Sequence, residues 1–139
     1  MDLLLLLSLL LLLFGKTAPS DNELGQAFKL LMLVNTERQK HKLPPLVPLP
    51  SLNNAAWEKA VDMAKGNHTK SHQGNNDSWP NDRVREAGYR DSVAENIVDN
   101  LSSAQAAVNT WMTNRERRED RQNILNKKYM ALRCFKWVT

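Results

Sequence analysis

Cysteine is almost missing from this chain. A single one, Cys134, occurs among 139 residues, so no disulfide can form within the chain. Small folds that depend on a framework of disulfides are therefore excluded, and packing has to supply the stability. Because Cys134 lies in an apolar segment, we expect a buried thiol, with a bridge between two chains as the alternative.

Three other features are absent. No segment repeats at the period of a solenoid or propeller, and the length suits one domain. The net charge is only +4, and basic and acidic residues are interleaved even in the densest stretch, Arg115 to Arg121, which argues against a nucleic-acid partner. No Gly-x-Ser-x-Gly motif is present, which excludes the nucleophile elbow of the α/β-hydrolases.

The longest apolar run, Leu3 to Phe14, is too short to span a bilayer as a helix. Its length fits the hydrophobic region of a signal peptide, and small residues follow it. We assign residues 1–18 to a signal peptide and 22–139 to one mature domain. This predicts a secreted, extracellular protein with no membrane span after removal of the leader. An uncleaved membrane anchor is the alternative.

Three glycosylation sequons fit a secretory route. They begin at Asn67, Asn76 and Asn100, and each has Ser or Thr two residues later. The motif is short enough to occur by chance, so it supports the prediction of a secreted glycoprotein without deciding it.

Apolar residues at helical spacing, together with capping residues, predict four helices. The first begins near Asn22, the second runs from Ser51 to Gly66, the third from Pro80 to Ala87, and the fourth begins at Ser102 or Ser103. Four prolines between Leu43 and Pro50 predict an extended connector between the first two helices.

Two short strands are predicted late in the chain, at Glu95 to Val98 and at Tyr129 to Val138. The segment between residues 123 and 126 predicts a turn. Because helices outnumber strands and the strands come late and close together, the pattern indicates the α+β class, with helices flanking a small sheet.

His72 and Glu95 are candidates for a polar site. His72 stands beside a turn region rich in Gly, Asn and Asp, and Glu95 stands at the edge of an apolar segment. An imidazole on a loop and a carboxylate on a packed scaffold commonly form such a site. A solvated loop histidine and an unrelated glutamate are the alternative.

Several motifs, taken in order, carry a family resemblance. They are Leu33 to Arg38 (Leu-Val-Asn-x-x-Arg), the helical stretch Leu52 to Ala64, Ser71-His72, Asp82 to Tyr89 (Asp-Arg-Val-Arg-x-Ala-Gly-Tyr), Ala94 to Ile97 (Ala-Glu-Asn-Ile), Trp111-Met112, and Arg121 to Asn126. In this order they resemble the CAP superfamily. Its SCP-like extracellular domain is shared by cysteine-rich secretory proteins, antigen-five allergens and plant pathogenesis-related proteins. The resemblance covers nearly the whole mature chain.

The resemblance implies a three-layer α-β-α sandwich of the CAP type. Family members continue into a further strand that completes the sheet, whereas this chain stops at Thr139. We therefore expect a CAP sandwich in which the last strand is missing or divergent, with an unpaired sheet edge as one consequence.

The resemblance also implies a cleft in which two histidines and two acidic residues can hold a divalent cation. His72 matches the first family histidine and Glu95 the acidic residue of the Glu-Asn motif. Asp77 or Asn76 stands where the loop carboxylate belongs.

The second family histidine has no counterpart in this chain. Asp120 occupies its place, or Arg117 if residues are counted forward from Trp111. One imidazole with several carboxylates is a harder ligand set, which favours calcium or magnesium over zinc. The alternative is that Asp120 only pairs with a neighbouring arginine in a solvated loop.

For function, the resemblance implies a secreted, non-enzymatic binding protein for sterol or another lipid, with a degenerate cation site and extracellular proteins as further partners. One alternative is a hydrolase-like effector that uses His72 and Glu95. Another is a module that only binds proteins. The missing histidine weakens the case for acid-base catalysis, so binding is favoured and enzymatic activity is left open.

Overall fold

The computed structural model of the chain describes residues 20–68 and 71–129. The described residues form five α-helices: α1 (Asp21–Lys40), α2 (Pro50–Ala64), α3 (Pro80–Glu86), α4 (Ala104–Thr113) and α5 (Arg118–Ile124). Two short 3-10 turns lie at Asn75–Asp77 and Arg115–Arg117. The four predicted helices are confirmed as α1 to α4, and α5 is a fifth that sequence analysis had treated as loop and turn.

Local sequence accounts for where the helices begin. The amide of Glu23 donates to the Ser20 hydroxyl at 3.4 Å, and the amide of Ser20 donates to the Glu23 carboxylate at 2.6 Å, which forms a capping box at α1. The Ser103 hydroxyl accepts from the Ala106 amide at 3.1 Å and caps α4. Helices α2 and α3 instead begin at prolines, whose missing amide hydrogen needs no partner in the first turn.

Two apolar clusters divide the helices into two groups. The larger cluster joins α1, α4 and α5 and consists of Leu30, Val34, Leu46, Ala104, Ala107, Val108, Trp111 and Ile124. The smaller one joins α2 and α3 and consists of Leu52, Ala55 and Val84. Burying a large apolar side chain contributes about 1.5–3 kcal/mol, so each cluster holds its own helices together. We refer to the two groups as the large layer and the small layer.

Arg38 joins α1 to the end of the described chain. Its side chain is fully buried and donates hydrogen bonds to four carbonyl oxygens, those of Pro44, Ile124, Asn126 and Tyr129, at 2.8 to 3.2 Å. Burial lowers the pKa of Arg38 from its ordinary value, but an arginine in a protein keeps its proton. The fork of donors therefore stays charged and holds α5 and the segment after it against α1.

Asn35, one turn before Arg38, clamps the connector between α1 and α2. Its amide nitrogen donates to the Leu46 carbonyl at 3.0 Å, and its amide oxygen accepts from the Leu46 amide at 2.8 Å. The Asn and Arg of the Leu-Val-Asn-x-x-Arg motif thus both bind backbone, and this motif is structural.

The predicted α+β class and the predicted three-layer α-β-α sandwich are both wrong for the described residues, which are mostly helical and contain no β-strand. The predicted strand Glu95 to Val98 is an irregular segment whose partners are side chains of α4 and the chain around α5. The Ile97 carbonyl accepts from the Trp111 indole at 3.4 Å and from the Arg117 guanidinium. At Ile97 these side chains take up the acceptor that the backbone of a neighbouring strand would use.

Some predictions fall on residues that the structure does not describe. The leader, Cys134 and the predicted last strand beyond Tyr129 lie outside the described ranges. The signal peptide, the state of the thiol and the strand therefore stay predictions. Among the described helices, none combines the length and apolarity that crossing a membrane requires.

Replacing Arg38 with Met should lower the free energy of unfolding by about 3–5 kcal/mol, because several buried carbonyl oxygens lose their donor. Urea denaturation measures the change. The matched control is Lys40→Met on the same helix, which removes an equal charge from a side chain that is 61% exposed. The control should change the free energy by less than about 1 kcal/mol. Equal losses in the two variants would show that Arg38 does not join these segments.

Candidate functional site

The structure brings His72 and Glu95 together. The Nδ1 atom of His72 lies 3.0 Å from Oε1 of Glu95. The imidazole is 46% exposed, whereas the carboxylate is only 17% exposed. The carboxylate therefore lies beneath the ring, and the outer edge of the imidazole faces solvent.

Arg83 binds both members of this pair, the backbone carbonyl of His72 and the side-chain carboxylate of Glu95. Its side chain is 4% exposed, and Nη2 donates to Oε2 of Glu95 at 2.6 Å. Nη1 donates to the His72 carbonyl at 3.2 Å and to the Ser78 carbonyl at 2.9 Å. A single guanidinium thus orients the carboxylate and anchors the backbone of the histidine that contacts it.

Sequence analysis missed Arg83, although the residue lies in one of the motifs that carry the resemblance. The sequence alone gave no reason to expect burial, because charged residues on a short helix usually face solvent. The available signal is positional, since Arg83 is next to Val84, the buried apolar residue of α3, whereas Asp82 and Arg85 are exposed.

Two residues of α2 bind the loop that carries His72. The Lys59 ammonium, 3% exposed, donates to the carbonyls of His68 and Gln73 at 2.9 and 2.7 Å. Asp62 is also buried, and its Oδ2 lies 2.9 Å from Nδ1 of His68. Burial lowers the pKa of Lys59, and the negative charges of Glu95 and Asp62 oppose that shift.

The surroundings of His72 favour its protonated form. Its pKa is raised above the ordinary value, first by the hydrogen bond to Glu95, while burial acts in the opposite direction. The charges of Glu95, Asp120 and Glu119 raise the pKa further. Asp120 and Glu119 both belong to α5, so this helix adds negative potential at the imidazole.

The two other predicted carboxylates have their own partners. Asp77 lies on the turn Asn75–Asp77, where its carboxylate accepts from the side-chain amide of Gln73 at 2.9 Å. Asp120 is 8% exposed and pairs with Arg117 at 2.5 Å. The two residues that compete for the place of the second family histidine are therefore bonded to each other. The arginine pairing expected as the alternative is present, but in a buried setting.

These residues do not fit a divalent cation in their present arrangement. Across the described ranges, no group of three or more His, Cys, Asp and Glu side chains is placed to hold a metal ion. Both oxygens of Glu95 are engaged by His72 and Arg83, and one oxygen of Asp120 is engaged by Arg117. The binding of calcium or magnesium stays a prediction.

A groove of about 580 Å³ lies between the two layers and includes part of this site. Its walls are mostly apolar. The small layer and the segment after it contribute Leu52, Ala55, Ala56, Ala60, Met63, Val84, Tyr89 and Val93, and the large layer and its connector contribute Leu46, Ile124 and Tyr129. Lys59, Arg83 and Glu95 also line the groove, and we refer to these three as its polar cluster. The other polar lining residues are Asp91, Ser92, Asn96, Asn123 and Lys128. Its volume lies in the range of small-molecule sites, roughly 300–1,000 Å³.

The predicted glycosylation residues are all exposed. Asn67 follows α2, Asn76 lies on the turn Asn75–Asp77, and Asn100 precedes α4. Each could be reached by a modifying enzyme, and glycosylation stays a prediction.

Comparisons with known proteins place the chain in a wider group. Residues 31–134 match the model of the CAP, or cysteine-rich secretory protein, family. Over 102 residues the chain is 32% identical to the uncharacterized protein YkwD of Bacillus subtilis (strain 168), which covers 73% of this chain and 38% of that protein.

A solved structure gives a likeness in fold. It is the 1.5 Å crystal structure of an extracellular protein containing an SCP domain from Bacillus anthracis strain Ames. The TM-score is 0.73 at 24% identity, and the match covers 84% of this chain and 40% of that one. The chain thus spans about 40% of the length of the proteins it matches.

Replacing Glu95 with Gln should lower the pKa of His72 toward 6.5, the ordinary value for histidine, because the charged acceptor is lost. NMR titration of the imidazole protons measures the change. Since the folded-state pKa is raised, the stabilisation from this pair is fully present below the unfolded-state value. It is lost as the pH rises through the folded-state value. An unchanged His72 curve would rule out the Glu95 contact in solution.

Proposed function

Because this chain belongs to the cysteine-rich secretory protein family, we propose that it is an extracellular binding protein that holds a sterol or another lipid in the groove between its layers. The observation that carries the proposal is the groove itself, about 580 Å³ with mostly apolar walls and a polar cluster of Lys59, Arg83 and Glu95. An amphiphile likewise combines an apolar body with a polar head. The match between the two supports lipid as the ligand class.

The apolar walls would provide most of the affinity. Removing apolar surface from water contributes about 25 cal/mol per Å², and side chains from both layers face the groove. The polar cluster of Lys59, Arg83 and Glu95 would orient the head of the ligand, as is usual in small-molecule sites. Affinity and orientation would then come from different residues.

The extracellular location rests on two supports. The structural neighbour is described as an extracellular protein, and the apolar run Leu3 to Phe14 has the length of a signal-peptide core. Both are consistent with secretion of this chain.

The contacts of His72 favour binding over hydrolysis. In the described part of the chain, the imidazole hydrogen-bonds Glu95, and no hydroxyl or thiol is bonded to its other nitrogen. A hydrolase of the serine or cysteine type needs such a nucleophile within reach of its base. These contacts therefore support binding better than catalysis, and Glu95 is the member of the pair that lines the groove.

The test uses the purified secreted protein with radiolabelled cholesterol and, separately, radiolabelled palmitate. Lipid extraction and mass spectrometry of the same preparation would show which lipids it carries already. Saturable binding of at least one probe is expected. Replacing Ala56 with Phe should weaken it at least tenfold, because Ala56 lines the groove and a larger side chain fills it.

The matched control for this test is Asn54→Phe. Asn54 lies on the same helix but is exposed, so the same side chain there should leave binding unchanged. No saturable binding by the native protein, or equal binding by the Ala56 variant and the native protein, would overturn the proposal.

A further inference from the structure

We propose that two buried cations, Lys59 and Arg83, are positioning residues that clamp the loop around His72 from two sides and so control how its ring meets Glu95. The inference rests on the proposed function in one respect: the proposed ligand gives the polar cluster of the groove, Lys59, Arg83 and Glu95, its importance. Neither cation is offered as a catalytic residue. Each acts on His72 through the backbone of the loop or through Glu95.

Lys59 holds the loop from the side of α2. Its ammonium binds carbonyls on both sides of His72 in sequence, at His68 and Gln73, with distances of 2.9 and 2.7 Å. At 3% exposure, water cannot easily replace these acceptors. Movement of the loop away from α2 would leave this buried ammonium with only the Asp62 carboxylate, at 3.8 Å, so that movement is opposed.

Arg83 holds the loop from the side of α3. It binds the carbonyls of His72 and Ser78, and the turn between them is closed by a hydrogen bond from the Gly74 amide to the Ser78 carbonyl at 2.8 Å. The same guanidinium binds Glu95 at 2.6 Å. Any shift of the loop relative to α3 therefore changes the distance between the His72 ring and its carboxylate.

Gly74 makes room for this guanidinium. A β-carbon added at Gly74 would stand 3.0 Å from Nη1 of Arg83 and 3.2 Å from the Ser78 hydroxyl. The φ angle of Gly74 is −128°, which any residue can adopt, so the glycine is required for space and not for backbone conformation. The loop and the Arg83 guanidinium are thus packed too closely to accept a β-carbon at Gly74 without a shift.

The experiment measures which nitrogen of the neutral His72 ring carries the proton, from imidazole ¹⁵N chemical shifts of the full-length chain at alkaline pH. When Glu95 accepts from Nδ1, the proton resides there. Replacing Lys59 with Met keeps the length of the side chain but removes its charge and its donors. We expect the Nδ1-protonated fraction to fall by at least half, because the ring loses its fixed position beside Glu95.

Two further variants make the result decisive. Lys65→Met removes an equal charge at an exposed site just beyond α2 and should leave the ratio of tautomers unchanged. Gly74→Ala keeps both cations but crowds Arg83, and should also lower the Nδ1-protonated fraction. If Lys59→Met does not fold, Gly74→Ala alone decides.

A native ratio of tautomers in folded Lys59→Met or in folded Gly74→Ala would overturn the clamp. The same change in Lys65→Met would overturn it as well, since charge alone would then be the cause. No lipid is present in this measurement. A failure of lipid binding therefore leaves the clamp standing, and a failure of the clamp leaves lipid binding standing.

Discussion

The buried guanidinium of Arg38 is the interaction on which the rest of the described structure depends. It gathers carbonyl oxygens from the end of α5 and the segment that follows, and a cation is the group that favours the carbonyl end of a helix. Helix α5 in turn carries Asp120, whose charge acts on His72. Tyr129, another acceptor of Arg38, lines the groove. The position of the groove wall and the potential at the imidazole both depend on a residue that neither lines the groove nor contacts His72.

A second set of hydrogen bonds connects α5 to the segment that carries Glu95. The amide of Asn96 donates to the Asp120 carbonyl at 2.9 Å and accepts from the Asn123 amide at 2.9 Å. Because Asn96 is the next residue after Glu95, these bonds fix the carboxylate relative to α5. The Glu-Asn-Ile and Asn-Ile-Leu motifs therefore join each other. Most of the motifs that mark the family here are structural. Together they position the half-exposed His72 beside the mostly buried Glu95.

Helices were predictable from this sequence because their signals are local. The capping box at Ser20 and the prolines that begin α2 and α3 lie within one turn of the boundaries they set. The segment Glu95 to Val98 was not predictable in the same way. Its composition suits a strand, but whether another strand or the side chains of Trp111 and Arg117 bind its backbone depends on the assembled fold. The sheet was expected from the order and composition of the predicted strands and from the family resemblance, and neither can decide how one segment is paired.

The ion pairs at the site also differ in whether the sequence alone can predict them. Lys59 with Asp62 and Arg117 with Asp120 are each three residues apart, a spacing that one helical turn brings together without help from the fold. Arg83 and Glu95 are twelve residues apart and belong to different elements. Their contact exists only if α3, the loop and the segment before α4 are all in place. Arg83, which sequence analysis missed, therefore has a purely tertiary role at this site. His72 bonds to this long-range pair, so its geometry reports on the assembly of the small layer as a whole.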